Sequence, residues 1–466
     1  MRFTPAWCSL GLMFGLISLA GAAAEPARPN VLCIFVDDMG WGDLNANGGA
    51  GVPTPCMDQL AREGTRFTTF YTAAPICSPS RCGLLTGQFP VRWRITSFLQ
   101  TRAGNRECGQ ADSLDPLAPS FVRAFREVGY ATAHIGKWHL GGGRDVTDAP
   151  KFAAYGYDLG LGTYESPEPA PGLGLKTVPW GKEREPQQVA RHDRTRWMVD
   201  ETLAFVKQHA QRLWLVNLWL DDVHTPYVPS PEQLRAAGEG TGTAAYRAVL
   251  QETDRQIGRL LDGLRDARLD QNTLVLLAGD NGPQPSYDRK RTGGLRGMKW
   301  SLYEGGIRTP LIVRWPGTIP AGAVNDATVL AAVDIFPTLC ALANIPAPAG
   351  IAFDGEDLSA AFRGQPTVRS KPLFWEYGRK SAAAGPTVIR AFPYPDEPQS
   401  RSPTLAIRNG RWKLLMNADA TDVELYDLAA DPQESRNVAA AEPDVARRLR
   451  EAILAWHTAT EDAMSP

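Results

Sequence analysis

Two short acidic segments offer oxygen ligands that could hold a divalent cation. Asp37 and Asp38 follow one apolar run, and Asp280 and Asn281 follow another. Carboxylate and amide oxygens suit calcium or magnesium, whereas zinc prefers histidine and cysteine. Calcium takes about six to eight oxygens in flexible geometry, so these side chains and an anionic substrate would complete its coordination. The alternative is a pair of polar turns, because Asp-Asn-Gly is also a common turn sequence.

The segment 77–81 (CSPSR) places a nucleophile type beside a cation. Pro79 is favoured near the start of a helix, where its missing N–H costs no hydrogen bond. Cys77 would then lie near the helix N-terminus, which favours anions, with Arg81 one turn later. This arrangement predicts a nucleophile in an anion-binding cradle. The alternative is a structural thiol, or a disulfide with Cys82.

Four more residues carry positive charge or a proton-transferring imidazole. Lys137 and His139 point to one face of an extended segment that leads into three glycines. A cation beside a histidine suits the departure of an anionic leaving group. His224 follows another apolar run, and Lys299 precedes a Glu-Gly-Gly segment. The alternative for each is a structural or solvated side chain.

The elements that must position these residues alternate between strands and helices. Apolar runs at 31–36, 213–220 and 273–278 fit strands buried on both faces of a parallel sheet. Each run ends in polar residues, and open α/β sheets bind ligands at that carboxyl edge. The order predicts an α/β fold with a large mixed, mostly parallel sheet sandwiched by helices. Helical spacing of apolar residues predicts helices at 57–64, 120–129, 194–209 and 246–267.

A shift in composition near residue 346 predicts two parts in the mature chain. We expect a catalytic domain at 25–345 and a smaller C-terminal antiparallel-sheet subdomain at 346–466. In the second part, 404–416 and 423–428 predict two strands of one hairpin, and 443–456 predicts a closing helix. Segments rich in Gly and Pro predict long surface loops at 160–190 and 381–404.

Residues 1–24 are expected to be a signal peptide. Arg2 supplies the positive charge, 10–19 is an apolar stretch of signal length, and 22–24 (AAA) fits a cleavage site. The alternative is an uncleaved N-terminal anchor. We therefore expect an exported protein, periplasmic or secreted, without stable membrane insertion of the mature chain. Six of the seven cysteines would remain after cleavage, which is too sparse for a disulfide scaffold.

The composition is that of an ordinary globular protein and narrows the range of partners. The 466 residues are 43% apolar and 21% charged, with a formal net charge of −2. A chain of this balance, without blocks of like charge, does not favour binding to nucleic acid.

These segments together resemble the formylglycine-dependent sulfatase family, arylsulfatase-like members of the alkaline phosphatase superfamily, along nearly the whole mature chain. The segment 77–81 resembles the family's maturation signal Cys-x-Pro-x-Arg. A single five-residue motif can arise by chance, but a set of motifs in family order is a far more specific signal. The other matching segments are 36–43 (VDDMGWGD), 135–141 (IGKWHLG), 279–282 (GDNG), 304–310 (EGGIRTP), 313–317 (VRWPG) and 424–428 (ELYDL).

The resemblance implies hydrolysis of a sulfate ester. A separate formylglycine-generating maturation enzyme would oxidise Cys77 to formylglycine, whose hydrate would attack the sulfur and form a covalent sulfo-enzyme. Loss of a proton from the second hydroxyl would then expel sulfate. A metal ion would polarise the sulfate, with calcium expected and magnesium as the alternative. An oxygen of residue 77 would bind that ion together with four side chains: Asp37, Asp38, Asp280 and Asn281.

The resemblance also implies roles for the remaining candidates. Arg81 would steady the hydrate and the metal site. Lys137, Lys299 and His224 would stabilise sulfate oxygens, with His224 or Lys299 near the leaving oxygen. His139 would assist the hydroxyl that regenerates the aldehyde.

Three residues depart from the family pattern. Val223 stands where the family often has proline before the histidine, and Cys82 stands where a small apolar residue is more usual. Trp300 follows Lys299, where the family often has a small residue, and is expected to shape the substrate pocket.

Two other functions are compatible with the sequence. One is a phosphodiesterase or phosphonate ester hydrolase on the same scaffold, since some relatives with this maturation signal act on such esters. The other is a non-catalytic protein that binds sulfated glycans, which requires that Cys77 stay unmodified. Within the sulfatase interpretation we expect a sulfated carbohydrate as substrate, with an aryl sulfate as the alternative.

Overall fold

The computed structural model describes Met1 and residues 28–49, 51–169, 189–238, 243–285, 289–377, 393–394 and 396–464. Apart from Met1, the predicted signal peptide lies outside the described residues. So does much of the loops predicted at 160–190 and 381–404. Among the described residues, no helix combines the length and apolar character needed to cross a membrane.

A nine-stranded sheet forms the centre of the fold, in the order β4-β3-β5-β1-β6-β7-β2-β8, with β9 also paired to β2. The strand β7 runs antiparallel to both of its neighbours, and the other pairings in this sheet are parallel. This confirms the prediction of a mixed, mostly parallel sheet. The strands are β1 (Asn30–Val36), β2 (Thr65–Tyr71), β3 (Ala131–Lys137), β4 (Leu159–Thr163), β5 (Trp214–Leu220), β6 (Thr273–Gly279), β7 (Arg308–Arg314), β8 (Ala323–Asn325) and β9 (Leu330–Ala331).

Helices cover both faces of this sheet. Side chains alternate along β1, so Val31 and Phe35 face one core whereas Leu32 and Ile34 face the other. The first core includes α2, α4 and α9, and the second includes α1, α5 and α7. The helices of this part are α1 (Pro55–Glu63), α2 (Cys77–Thr86), α3 (Arg102–Glu107), α4 (Phe121–Glu127), α5 (Arg194–Gln208), α6 (Pro231–Ala236), α7 (Ala244–Asp266), α8 (Glu304–Ile307), α9 (Ile335–Leu342) and α10 (Ser359–Phe362).

The three apolar runs of the sequence lie side by side in the sheet. The strand β1 pairs with β5 on one side and β6 on the other, and each residue of these strands is buried. The register places Val36 opposite both Leu220 and Gly279. The polar residues that follow the three strands therefore meet at one edge of the sheet.

A second, antiparallel sheet follows in the order β10-β11-β12-β13 and carries the closing helix α11 (Pro443–Met464). Its strands are β10 (Leu373–Glu376), β11 (Leu405–Asn409), β12 (Trp412–Met416) and β13 (Glu424–Asp427). The prediction of one strand over 404–416 was wrong, because Gly410 adopts a φ of +60° and turns the chain between two strands. Trp375 binds this sheet to the first one, since its indole N–H donates to the Thr72 carbonyl at 2.8 Å.

Candidate active site

The two acidic segments meet at the carboxyl ends of neighbouring strands. Asp37 and Asp38 follow β1, and Asp280 and Asn281 follow β6. Asp38 has a φ of +54°, and its N–H donates to Asp280 Oδ1 at 2.9 Å. The Asn281 amide donates to Asp38 Oδ1 at 2.7 Å. Adjacent strands and the turned backbone at Asp38 thus bring together four side chains from distant parts of the chain.

The helix α2 begins at Cys77 and points its N-terminus into this cluster. Ile76 precedes it in an extended conformation, and every residue of α2 is buried. Arg81, one turn later, donates to Asp280 Oδ2 from Nε at 3.1 Å and from a terminal nitrogen at 2.7 Å. Its other terminal nitrogen donates to the Lys137 carbonyl at 2.8 Å. The guanidinium therefore links the helix to both β6 and β3.

Two lysines bring ammonium groups to the aspartates. Lys137 Nζ, at the end of β3, lies 2.6 Å from Asp37 Oδ2. Lys299 Nζ lies 2.6 Å from Asp38 Oδ1 and 2.8 Å from Oδ2. Neither lysine has more than 2% of its surface exposed, so these ion pairs are shielded from water.

Both candidate histidines are neutral and hydrogen-bonded to backbone carbonyls. Burial and Lys137 lower the pKa of His139 well below its usual range, and burial and Lys299 lower the pKa of His224 to about 4. His139 Nε2 donates to the Leu99 carbonyl at 3.1 Å, which leaves Nδ1 as an acceptor without a partner among the described residues. His224 Nδ1 donates to the Thr225 carbonyl at 2.6 Å, and Nε2 accepts from Lys299 Nζ at 3.0 Å.

The carboxylates of the site titrate differently because their neighbours differ. Burial raises the pKa of Asp37, but Lys137 and other nearby cations outweigh burial, so the pKa lies well below its usual range. Burial and the negative charge of Asp37 raise the pKa of Asp280 to about 7. Burial also raises the pKa of the Cys77 thiol to about 12. Cys77 is therefore a protonated thiol near neutral pH, and not an activated thiolate.

The residues present fit a hard divalent cation. Asp37 Oδ1 and Asn281 Oδ1 are buried acceptors that lack a hydrogen-bond donor among the described residues, as expected of oxygens that bind a metal. Possible ligand atoms of four residues lie within 4.8 Å of one another: Asp37, Asp38, Cys77 and His224. Asp280 lies in the same site, with its two oxygens directed to Arg81 and to the Asp38 N–H.

The structure also tests the alternatives for the cysteines. Each of the six cysteines in the described residues is a free thiol, including Cys77 and Cys82, so the possible disulfide between these two is absent. Cys82 is fully buried in the core behind α2. Val223 is also fully buried, and it packs in the other core.

Two tyrosines near the site were not predicted from the sequence. The Tyr164 ring lies 4.3 Å from Lys137 Nζ and 4.5 Å from the His139 ring, at a φ of +57°. Tyr394 lies within electrostatic reach of Lys299 and Asp38, and burial raises its pKa to about 12. Tyrosines in loops rich in Gly and Pro carry no spacing signal, because only the fold brings them to the strand ends.

A buried arginine behind Asp38 was also missed. Arg291 donates to the Asp38 carbonyl at 2.6 Å and forms an ion pair with Asp43 at 2.8 Å. Both side chains are fully buried. No periodicity in the sequence separates Arg291 from its basic neighbours Arg289 and Lys290.

Comparison with known proteins assigns a family to this fold and site. The sulfatase family model matches residues 29–345, and the model of the N-sulphoglucosamine sulphohydrolase C-terminal region matches residues 298–458. The chain therefore belongs to the sulfatase family and is a sulfuric ester hydrolase. The first model spans more than half of the chain, and the second continues through the antiparallel sheet into α11.

Individual relatives agree with this assignment over nearly the full length. The chain is 29% identical to N-acetylgalactosamine-6-O-sulfatase of Bacteroides thetaiotaomicron, over 91% of this chain and 92% of that protein. It is 30% identical to human arylsulfatase A, over 94% and 89% respectively. A solved structure from work on the metabolism of multiple glycosaminoglycans by Bacteroides thetaiotaomicron has a TM-score of 0.73 at 26% identity, covering 93% of this chain and 100% of that one.

Proposed function

We propose that the protein hydrolyses a sulfate ester carried by a carbohydrate, using formylglycine formed from Cys77 and one bound calcium ion. The observation that carries this proposal is the position of Cys77 at the N-terminus of α2, among equal numbers of acidic and basic side chains. The three carboxylates are Asp37, Asp38 and Asp280, and the three cations are Arg81, Lys137 and Lys299.

The acidic residues are suited to hold the ion and leave the cations for the substrate. Asp37, Asp38, Asp280 and Asn281 would bind calcium through oxygen, together with residue 77. When bound, the ion would supply Lewis acidity that polarises the sulfate group. Asp37 Oδ1 and Asn281 Oδ1, which accept no hydrogen bond from the described residues, are the strongest support for this set of calcium ligands.

The basic residues and histidines would act on the ester itself. Lys137 and Lys299 would stabilise charge on the sulfate oxygens in a site from which water is largely excluded. His139 would accept a proton at Nδ1, since its Nε2 is held by the Leu99 carbonyl. The leaving oxygen would take its proton from the Lys299 ammonium group. The neutral His224 ring cannot supply it from Nε2, because this nitrogen accepts a hydrogen bond from Lys299.

Similarity supports the choice of a carbohydrate sulfate. The bacterial relative that aligns with this chain over 92% of its own length is an N-acetylgalactosamine-6-O-sulfatase. The solved structure with the TM-score of 0.73 comes from work on glycosaminoglycan metabolism. We further propose export by the N-terminal segment to the periplasm or beyond, and oxidation of Cys77 by a separate maturation enzyme.

The modification at Cys77 is the first test. Trypsin should release a peptide of residues 67–81 in which Cys77 is the sole cysteine. From protein produced with a formylglycine-generating enzyme, we expect this peptide to be about 18 mass units lighter than the thiol form. This loss corresponds to the change from thiol to aldehyde, and the hydrated aldehyde is the nucleophile for covalent catalysis. Cys77→Ser is the matched control, and we expect it to lack both the mass change and the turnover.

The second test separates the alternatives by rate. Sulfate, phosphate diester and phosphonate esters of one phenol should be compared with the matured protein. We expect kcat/KM to be highest for the sulfate ester. A higher value for the phosphorus esters would favour the diesterase alternative, and an unmodified Cys77 with binding but no turnover would favour the glycan-binding alternative.

A further inference from the structure

Trp300 lies beside Lys299 in a backbone conformation that residues other than glycine rarely adopt. Its φ is +77°, and its backbone N–H donates to the Pro75 carbonyl at 3.0 Å. A bulky residue in this region is held there by the surrounding structure, and such strained positions cluster at functional sites. Pro75 lies two residues before Cys77, so this hydrogen bond ties the backbone of Trp300 to the segment that carries the nucleophile position.

Phe98 places a second ring between Trp300 and His139, the candidate base. The rings of Phe98 and Trp300 are 5.5 Å apart and nearly perpendicular, at 82°, which is a favourable edge-to-face arrangement. The Phe98 ring also lies 6.5 Å from the His139 ring. The next residue, Leu99, accepts from His139 and donates its N–H to Ser78 Oγ at 2.9 Å.

Tyr377, directly after β10, extends this row from the second sheet. Its ring lies 6.0 Å from that of Trp300. We call the three rings of Phe98, Trp300 and Tyr377 the aromatic wall. Phe98 and Trp300 are only half-buried, whereas Cys77 and Lys299 beside them are 2% exposed. Tyr377 is 9% exposed, so the ring surface at the outer side of the buried polar groups comes from Phe98 and Trp300.

The polar groups and the wall suit different parts of a substrate. The charged side chains of the site match a sulfate group, whereas partly exposed aromatic rings favour an apolar surface. A pyranose has such a surface on the face that carries its C–H bonds. We propose that the aromatic wall stacks against this face of the sugar ring whose sulfate ester enters the site, and that Trp300 thereby determines specificity.

This inference rests on the proposed carbohydrate sulfatase function and adds to it a contact for the organic part of the substrate. A ring contact of this kind acts on binding of the sugar, not on the sulfate group. Loss of the Trp300 ring should therefore raise KM for sulfated sugars, while inhibition by inorganic sulfate, which lacks a sugar ring, should stay unchanged.

The test uses matured full-length protein with N-acetylgalactosamine 6-sulfate and a panel of other sulfated monosaccharides. Trp300→Gly removes the ring and is compatible with positive φ, and Trp300→Phe is the matched control that keeps an aromatic ring. We expect Trp300→Gly to raise KM about tenfold, the size typical of truncating an aromatic contact residue. The inhibition constant of inorganic sulfate should differ less than about twofold among the three proteins.

The outcomes distinguish a failure of the sugar contact from a failure of the proposed carbohydrate sulfatase function. If wild type cleaves a sulfated sugar but Trp300→Gly leaves KM unchanged, the wall is not a sugar contact and the proposed function stands. If wild type has the Cys77 modification but cleaves none of the sulfated sugars, both the carbohydrate function and the wall are refuted. If Trp300→Gly does not fold, Phe98→Leu replaces it, with the same expected rise in KM and the same unchanged sulfate inhibition.

Discussion

Arg291 supports the acidic segment from behind, and its removal has consequences that follow from its contacts. The guanidinium donates to Asp43 Oδ1 and Oδ2 from Nε at 3.0 and 3.1 Å, to Tyr227 Oη at 2.8 Å and to the Asp38 carbonyl at 2.6 Å. Its ion pair with Asp43 is fully buried. Arg291→Met keeps much of the side-chain volume but removes the charge and all of these donors.

The expected cost is set by the carboxylate that is left behind. Asp43 would keep the Gly40 N–H, at 2.8 Å, and the Tyr246 hydroxyl as donors but would lose its counter-ion. Breaking one partner of a buried ion pair costs about 3–5 kcal/mol of unfolding free energy, because a buried charge is left uncompensated. Adding Asp43→Asn neutralises that charge and retains an acceptor, so we expect the double variant to recover about half of the loss.

The assay is equilibrium unfolding in urea in the presence of a chelator, followed by calcium titration of the folded proteins. Because Asp38 loses the donor on its carbonyl in both variants, we expect calcium affinity to fall about tenfold in each, whether or not stability recovers. The reasoning is refuted if Arg291→Met lies within about 0.5 kcal/mol of wild type, or if the double variant is no more stable than the single one.

Three further predictions concern Lys137, Glu434 and the bound ion. Lys137→Met should lower kcat/KM about 10²–10³-fold with unchanged circular dichroism, because an ammonium 2.6 Å from Asp37 is removed from the sulfate site. Burial and Glu304 raise the pKa of Glu434 from 4.5 to about 7, so the native state binds the extra proton and loses stability as pH rises through that interval. Glu434→Gln should remove this slope of about 1.4 kcal/mol per pH unit, measured by urea unfolding between about pH 5 and pH 7. Chelation should lower the thermal midpoint, and calcium at about 100 times its Kd should restore about 2.7 kcal/mol.

The sequence predicted the sheet and the acidic site for a physical reason. A strand buried on both faces must be apolar throughout, so β1, β5 and β6 appear as continuous runs. Parallel strands end at a common edge, and ligands bind there. Asp37 and Asp280 therefore had to lie near each other once both runs were assigned to one sheet, although 242 positions separate Asp38 from Asp280.

The aromatic wall could not be predicted in the same way. Phe98 and Trp300 lie on loops, and no periodicity relates positions that meet only after folding. The one available signal was the bulk of Trp300 beside a lysine, which indicated an effect on the pocket without identifying its neighbours. The positive φ of Trp300, like that of Tyr164, depends on long-range contacts such as the hydrogen bond to Pro75.

The charges of the site explain why its parts belong together. Among the described residues of the site, the formal charges of three carboxylates and three cations cancel before any ligand binds, and each carboxylate lies within hydrogen-bond distance of at least one cation. A divalent cation held by the carboxylates would leave an excess of two positive charges in a buried volume, where charge interactions are strong. An anionic ester reduces that excess and a neutral alcohol does not. The site should therefore retain the sulfate side of the substrate and release the sugar, whose contact with the aromatic wall carries no charge.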